Sequence, residues 1–163
     1  MTQETKDAYD REIADILIEE EKERRHERRG MLRWKLWIEP VAKGRPKFSK
    51  QGFAYTPAKT RKAEDHIIVL LMSQHEPLSP LPVGAIKINL IFCRSRPKSA
   101  PKKKPCEWTT RPDVDNLIKT VLDSMQGRYF RDDSQVTECH VWKRTAEINE
   151  PPYILIEVEA INE

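Results

Sequence analysis

The chain has few glycines and fewer cysteines, and these shortages exclude several kinds of chemistry. Five glycines stand among 163 residues. None falls in the G-x-x-x-x-G-K-[ST] spacing that cradles nucleotide phosphates, and no G-x-S-x-G elbow presents a nucleophilic serine. Cys93, Cys106 and Cys139 are odd in number and widely spaced, with no C-x-x-C pair. They support neither a zinc site nor a disulfide framework and read as reduced, structural thiols. His26, His66, His75 and His140 share no ligand spacing such as H-x-x-x-H; His66, in a helix, and His140, in a strand, read as structural. No apolar run approaches the roughly 18–20 residues that span a bilayer. The charged N-terminus lacks the apolar core of a signal peptide. The expectation is a cytoplasmic protein with no membrane partner.

Charge, in contrast, is abundant. Charged residues make up 34% of the chain, against about a quarter in an ordinary domain. The net charge of +3 conceals an asymmetry. Residues 1–30 hold 7 basic and 10 acidic side chains, whereas residues 31–163 hold 22 and 16. Residues 43–62 carry seven Lys or Arg and no Asp or Glu, with Phe48, Phe53 and Tyr55 interleaved among them. Such a patch fits a polyanion. At least two of these three aromatics are expected in the core; a wedge or stacking role is the alternative.

Residues 4–29 read as a charged helix with one short apolar stripe, Tyr9, Ile13, Ile16 and Leu17, ended by Gly30. Strands are expected at 32–39, 85–93, 135–143 and 153–161, and helices at 58–75 and 115–126. The segment 41–57, punctuated by Gly44, Pro46, Gly52 and Pro57, reads as a loop. Residues 94–112 hold four prolines, seven basic side chains and one Glu, and read as a mobile loop that orders on a ligand or as a disordered insertion. The pattern gives an N-terminal helical extension, 1–30, and one α/β domain, 31–163. That domain has a mixed sheet in β-α-β-α-β-β order with helices on at least one face.

The most informative stretch is RPDVDNLIKTVLDSMQGRYFRDDSQV, residues 111–136. Pro112 keeps Arg111 out of the helical region, so Asp113 ends an extended segment and Asp115 opens a helix. Positions i and i+2 of an extended stretch point the same way, which lets Asp113 and Asp115 approach one cation. Asp115, Lys119 and Asp123 fall at i, i+4 and i+8 on the helix face opposite Leu117, Val121 and Met125. Asp132 and Asp133 follow Gly127 in a turn, and one of the two is expected to complete the site. Clustered carboxylates with a helix N-terminus beside them suit a hard divalent cation and a phosphate. The chemistry favoured is Mg²⁺-assisted phosphodiester hydrolysis, with Lys119 on a phosphate oxygen.

The motif R-P-D-V-D-N-L-I-K-T-V-L-D at residues 111–123, followed by D-D-S-Q-V at 132–136, resembles the RusA family of Holliday junction resolvases. The likeness spans about residues 32–161 and is strongest over 111–143. It implies a homodimeric, Mg²⁺-dependent endonuclease, with Mn²⁺ able to substitute, that nicks four-way DNA junctions symmetrically in recombination and repair. It implies catalytic carboxylates at Asp113, Asp115 and Asp133, an essential lysine at Lys119, and a bacterial, phage or prophage setting. Residues 1–30 lie outside the shared pattern, and 94–110 is longer than the family usually has there. Lys43, Arg45, Lys47, Lys102, Lys103, Lys104 and Arg111 are the expected DNA-backbone contacts. The rivals are a nuclease for flaps or other branched DNA, a non-catalytic junction binder, and a metal-dependent phosphatase of small esters.

Overall fold

The computed structural model describes residues 31–45, 47–101 and 106–161, with Lys47 described by its backbone. The expected N-terminal helix and the triplet Lys102, Lys103 and Lys104 lie outside the described residues. Contacts divide the chain into two units, Met1–Leu32 and Arg33–Glu163, and the second carries the fold.

Among the described residues the order is β1 (Met31–Leu36), β2 (Lys47–Phe48), β3 (Ala54–Tyr55), α1 (Ala58–Gln74), β4 (Ile86–Arg94), α2 (Val114–Met125), a 3₁₀ turn (Asp133–Gln135), β5 (Val136–Thr145) and β6 (Tyr153–Ala160). Strands β1, β6, β4 and β5 form one mixed sheet in that order. β4 runs parallel to β5 and antiparallel to β6. A parallel pair needs a crossover, and α2 lies in it. The α/β class is thus present, and the strands and helices expected after residue 31 each form within a few residues of their expected bounds.

Period-two burial shows how the sheet is covered. Trp34 and Leu36 on β1, Ile86, Ile88, Leu90 and Phe92 on β4, and Ile154, Ile156 and Val158 on β6 are all buried. They face the helices. Ile67 and Leu71 of α1 and Leu117, Val121 and Met125 of α2 complete this core. The Trp34 indole Nε1–H donates to the Leu71 carbonyl at 3.2 Å, and its ring meets Tyr129 edge-on at 4.8 Å. The alternate residues, among them Lys87, Asn89 and Ile91, are partly exposed on the other face. One face is therefore helix-covered, and no helix of the described residues lies over the other.

Two segments depart from expectation. The basic loop contains a hairpin, with Lys47 opposite Tyr55 and Phe48 opposite Ala54. Ser49 and Gly52 close it, and Gly52 has φ +85°. Its aromatics are not core: Phe48, Phe53 and Tyr55 are 73%, 74% and 46% exposed. Two-residue strands bury too little to cover them. The second departure is Trp108, expected in a mobile stretch but 5% exposed.

Candidate active site

α2 forms where a strong apolar stripe begins, and its first residue follows Asp113. Asp113 occupies the N-cap with extended backbone, φ −71° and ψ 150°, as the spacing predicts. Its carboxylate makes no capping hydrogen bond. N-cap aspartates usually accept one from the N2 or N3 amide, a stabilisation of about 1 kcal/mol. Asp113 withholds its carboxylate and is exposed, as is Asp115 in the first turn.

Lys119 lies one turn below Asp115. Its ammonium Nζ is 3.9 Å from Asp133 Oδ2, with both side chains substantially exposed. Asp132 is used differently. Its carboxylate accepts the Ser134 amide at 2.9 Å, and the Gln135 side chain accepts the Asp132 amide at 3.1 Å, a reciprocal capping box around the 3₁₀ turn. The hydrogen bonds from Ser134 hold the Asp132 carboxyl below the ordinary carboxylate range. Asp132 thus builds the turn, while Asp133 faces Lys119.

The structure draws Asp123 away from this group. Lys43 is ion-paired with Asp123 and lies 3.5 Å from Glu64 of α1, and its amide donates to the Asn116 carbonyl of α2 at 2.9 Å. Burial acts to lower the Lys43 pKa, but the hydrogen bond and charge of Asp123, then of Glu64, outweigh it and raise it. Lys43 was expected on DNA; its ammonium instead bridges two carboxylates and locks the basic loop between the helices. Gly44 follows with its amide on Thr60 Oγ1 at 2.9 Å. Arg45 and Arg111, by contrast, are exposed, and their guanidinium groups have no partner among the described residues.

A third layer had no signal in the spacing of the acidic motif. Lys143 of β5 pairs in register with Phe92 and so points to the helix-covered face. Its ammonium donates to the carbonyls of Thr110 at 3.0 Å and Pro112 at 2.9 Å. Arg94 Nη1 donates to Thr110 Oγ1 at 3.0 Å. Both cations stand over the Trp108 ring, Arg94 at 5.0 Å and Lys143 at 5.1 Å from its centroid. The aromatic before the motif was the available clue: a Trp in a Pro/Lys-rich run is a natural anchor.

Among the described residues no group of three or more His, Cys, Asp or Glu converges as a ready metal cage. Mg²⁺ does not need one, since it takes one or two carboxylates and completes its shell with water and substrate phosphates. The all-oxygen set of Asp113 and Asp115, exposed and without a capping role, fits that preference.

A family model for the endodeoxyribonuclease RusA matches residues 38–159. The chain belongs to the RusA endodeoxyribonuclease family. RusA membership places it among the nucleases, as a hydrolase of DNA. Among curated proteins it is 33% identical over 141 residues to YqaN of Bacillus subtilis (strain 168), an uncharacterized protein, covering 79% of this chain and 98% of YqaN. It is 43% identical over 51 residues to the crossover junction endodeoxyribonuclease rusA of Lactococcus phage r1t, covering 30% of this chain and 36% of that protein. No helix of the described residues is long and apolar enough to cross a membrane.

Proposed function

We propose that this RusA-family chain is a dimeric, Mg²⁺-dependent endonuclease that resolves four-way DNA junctions by paired nicks, with Mn²⁺ able to replace Mg²⁺. The observation that carries this is the N-cap of α2, where Asp113 leaves its carboxylate free beside Asp115, with Lys119 one turn on. In this assignment Asp113 and Asp115 hold the metal, with Asp133, beside Lys119 here, as the third carboxylate that the family resemblance implies. A bound Mg²⁺ would supply charge neutralisation at the phosphoryl group and a more acidic water for in-line attack. Lys119 holds a non-bridging phosphate oxygen and stabilises the charge that develops on it. Its ammonium, now near Asp133, is exposed enough to turn to a phosphate.

DNA binding is assigned to Arg45, Lys47, Arg111 and Lys102, Lys103 and Lys104. The exposed Phe48, Phe53 and Tyr55 belong to a hairpin whose segment of sequence also carries Arg45, Lys47 and Lys50. Aromatic side chains among basic ones stack on unpaired bases without regard to sequence, which suits the open centre of a branched substrate.

A four-way junction is resolved productively when two strands of like polarity are cut, and a two-fold dimer presents two identical sites so related. The uncovered sheet face suits a second copy. In register, Ile91, Trp142 and Leu155 form an apolar row, beside a groove of ≈ 340 Å³. Charges of both signs flank it: Lys87 with Glu138 at 3.4 Å and Arg33 with Glu157 at 3.4 Å. An apolar centre with charges of both signs around it suits an isologous contact between two copies.

The deciding experiment incubates the protein with a labelled synthetic four-way junction in Mg²⁺ or EDTA, beside Asp115→Asn. Paired nicks on opposing strands, requiring Mg²⁺ and absent from the variant, are expected. Tight binding with no cleavage in Mg²⁺ or Mn²⁺ would overturn the proposal in favour of a junction binder. Faster cutting of flaps than of junctions would make it a nuclease of other branched DNA.

A further inference from the structure

We propose that Lys143 is a positioning residue for the metal-binding carboxylates, acting through the backbone that enters α2. The inference rests on the proposed metal site. Asp113 is anchored on one side by α2, whose Leu117 amide donates to the Asp113 carbonyl at 3.4 Å. On the other side its backbone continues into Pro112, which has no amide hydrogen to donate. Nothing in the regular structure of the sheet or helix therefore fixes the chain just before Asp113.

Lys143 supplies that restraint. One ammonium donates to the carbonyls of Thr110 and Pro112 at 3.0 and 2.9 Å, and the second of these belongs to the peptide unit that carries the Asp113 amide. The lysine rises from β5, a long strand paired along its length with β4, so the restraint is tied to the sheet. Trp108 is the second anchor. Its ring is buried, its indole Nε1–H donates to the Arg111 carbonyl at 3.4 Å, and Arg94 and Lys143 stand over it. Arg94 in turn donates to Thr110 Oγ1 at 3.0 Å and, from Nε, to Thr145 Oγ1 at 3.2 Å.

The carbonyls at 110, 111 and 112 are thus each bonded, or belong to a residue whose side chain is. Three successive residues are held although they form neither helix nor strand. Such care is not needed to end a loop. It is needed where a carboxylate must meet a small cation that demands near-ideal octahedral geometry, because misplacement by about 1 Å can cost roughly 10²-fold in rate. Lys143 does not reach the reacting atoms; it sets where Asp113 stands.

The test compares full-length wild type with Lys143→Met and Lys143→Arg in three measurements. Mn²⁺ binding to the DNA-free protein is followed by calorimetry, junction nicking is titrated with Mg²⁺, and junction binding is measured in EDTA. For Lys143→Met, Mn²⁺ affinity falls at least fivefold, the Mg²⁺ concentration for half-maximal nicking rises several-fold, and the rate at saturating junction drops tenfold or more. Junction affinity in EDTA stays within twofold. Lys143→Arg, which can donate to two carbonyls, recovers most of the lost metal affinity. Unchanged metal affinity in Lys143→Met overturns the proposal. So does an equal loss of metal affinity, junction affinity and thermal stability that arginine does not recover, since that is a merely structural role. If wild type nicks no junction yet binds Mn²⁺ more tightly than Lys143→Met, the positioning role stands and the proposed function falls. If wild type binds no Mn²⁺, both fall.

Discussion

Asp113 and Asp132 occupy the same formal position, the residue before a helical turn, and use their carboxylates in opposite ways. Asp132 accepts the backbone amide that an N-cap should accept; Asp113 accepts none. Removing charge from Asp113 therefore costs little in folding. Asp113→Asn is expected to shift unfolding by no more than about 0.5 kcal/mol, as for a surface site away from special features, while nicking of a four-way junction falls by about 10³-fold or more. Urea titration and a nicking assay on the same preparation check this, and a large loss of stability would show that Asp113 has a structural role after all. Lys43 and Arg111 form a second contrast. Lys43→Met leaves Asp123 and Glu64 facing each other without their shared cation. Charged hydrogen bonds of this kind are worth about 1.5–3 kcal/mol, and partial exposure reduces that to about 1–2 kcal/mol. The slope of log affinity against log salt should barely change for Lys43→Met, whereas Arg111→Ala should reduce it by about one phosphate contact. A lowered slope for Lys43→Met would return that lysine to the DNA interface.

The elements show why some of this was legible in the sequence and some was not. α2 was legible because Leu117, Val121 and Met125 repeat at helical spacing and each is buried. β4 and β6 were legible because their apolar residues alternate. The hairpin was not, since two residues per strand give no periodicity, and alternation between Phe and Lys looks the same whether the rings turn inward or outward. Nor was the pairing of Lys119 with Asp133 rather than with Asp123, because helix spacing alone cannot tell which partner tertiary packing supplies. Gly44 marks a close approach: an added Cβ would lie 2.9 Å from Thr60 Oγ1 and 3.2 Å from Pro57 Cγ. Thr60 is buried and cannot retreat freely, so Gly44→Ala should cost about 1–3 kcal/mol as overpacking does, read from the urea midpoint. The 3₁₀ turn makes a pH prediction. The Asp132 carboxyl is lowered in the folded protein, so its contribution is complete above the ordinary value of 3.8 and is lost as pH falls through the folded value. The melting-temperature gap between wild type and Asp132→Ala should therefore be constant near neutrality and close below about pH 4. A gap that persists at lower pH would mean that the hydrogen bonds of Asp132 do not depend on its charge.

For the whole molecule, the uneven cover of the sheet is what bears on symmetry. One face is closed by both helices; the other carries Trp142, 54% exposed, stacked on His140 at 6.4 Å, in a row with Ile91 and Leu155. A large indole left in solvent beside aliphatic side chains costs the monomer hydrophobic stabilisation that a second copy would restore, at about 25 cal/mol per Å² buried. Two such faces meeting about a two-fold axis would present the sites on α2 outward, since α2 lies on the opposite side of each sheet. Trp142→Glu places a charge at the centre of that contact without disturbing the helix-covered core. In sedimentation, wild type should run at twice the 19.1 kDa chain mass, and the variant as a folded monomer. The monomer should still nick junctions, since Asp113, Asp115 and Lys119 are intact, but the two cuts should become uncoordinated, so that singly nicked junctions accumulate before any resolved product. A variant that stays dimeric would show that the copies meet elsewhere. A wild type that is already monomeric would remove symmetry from the explanation of paired nicking.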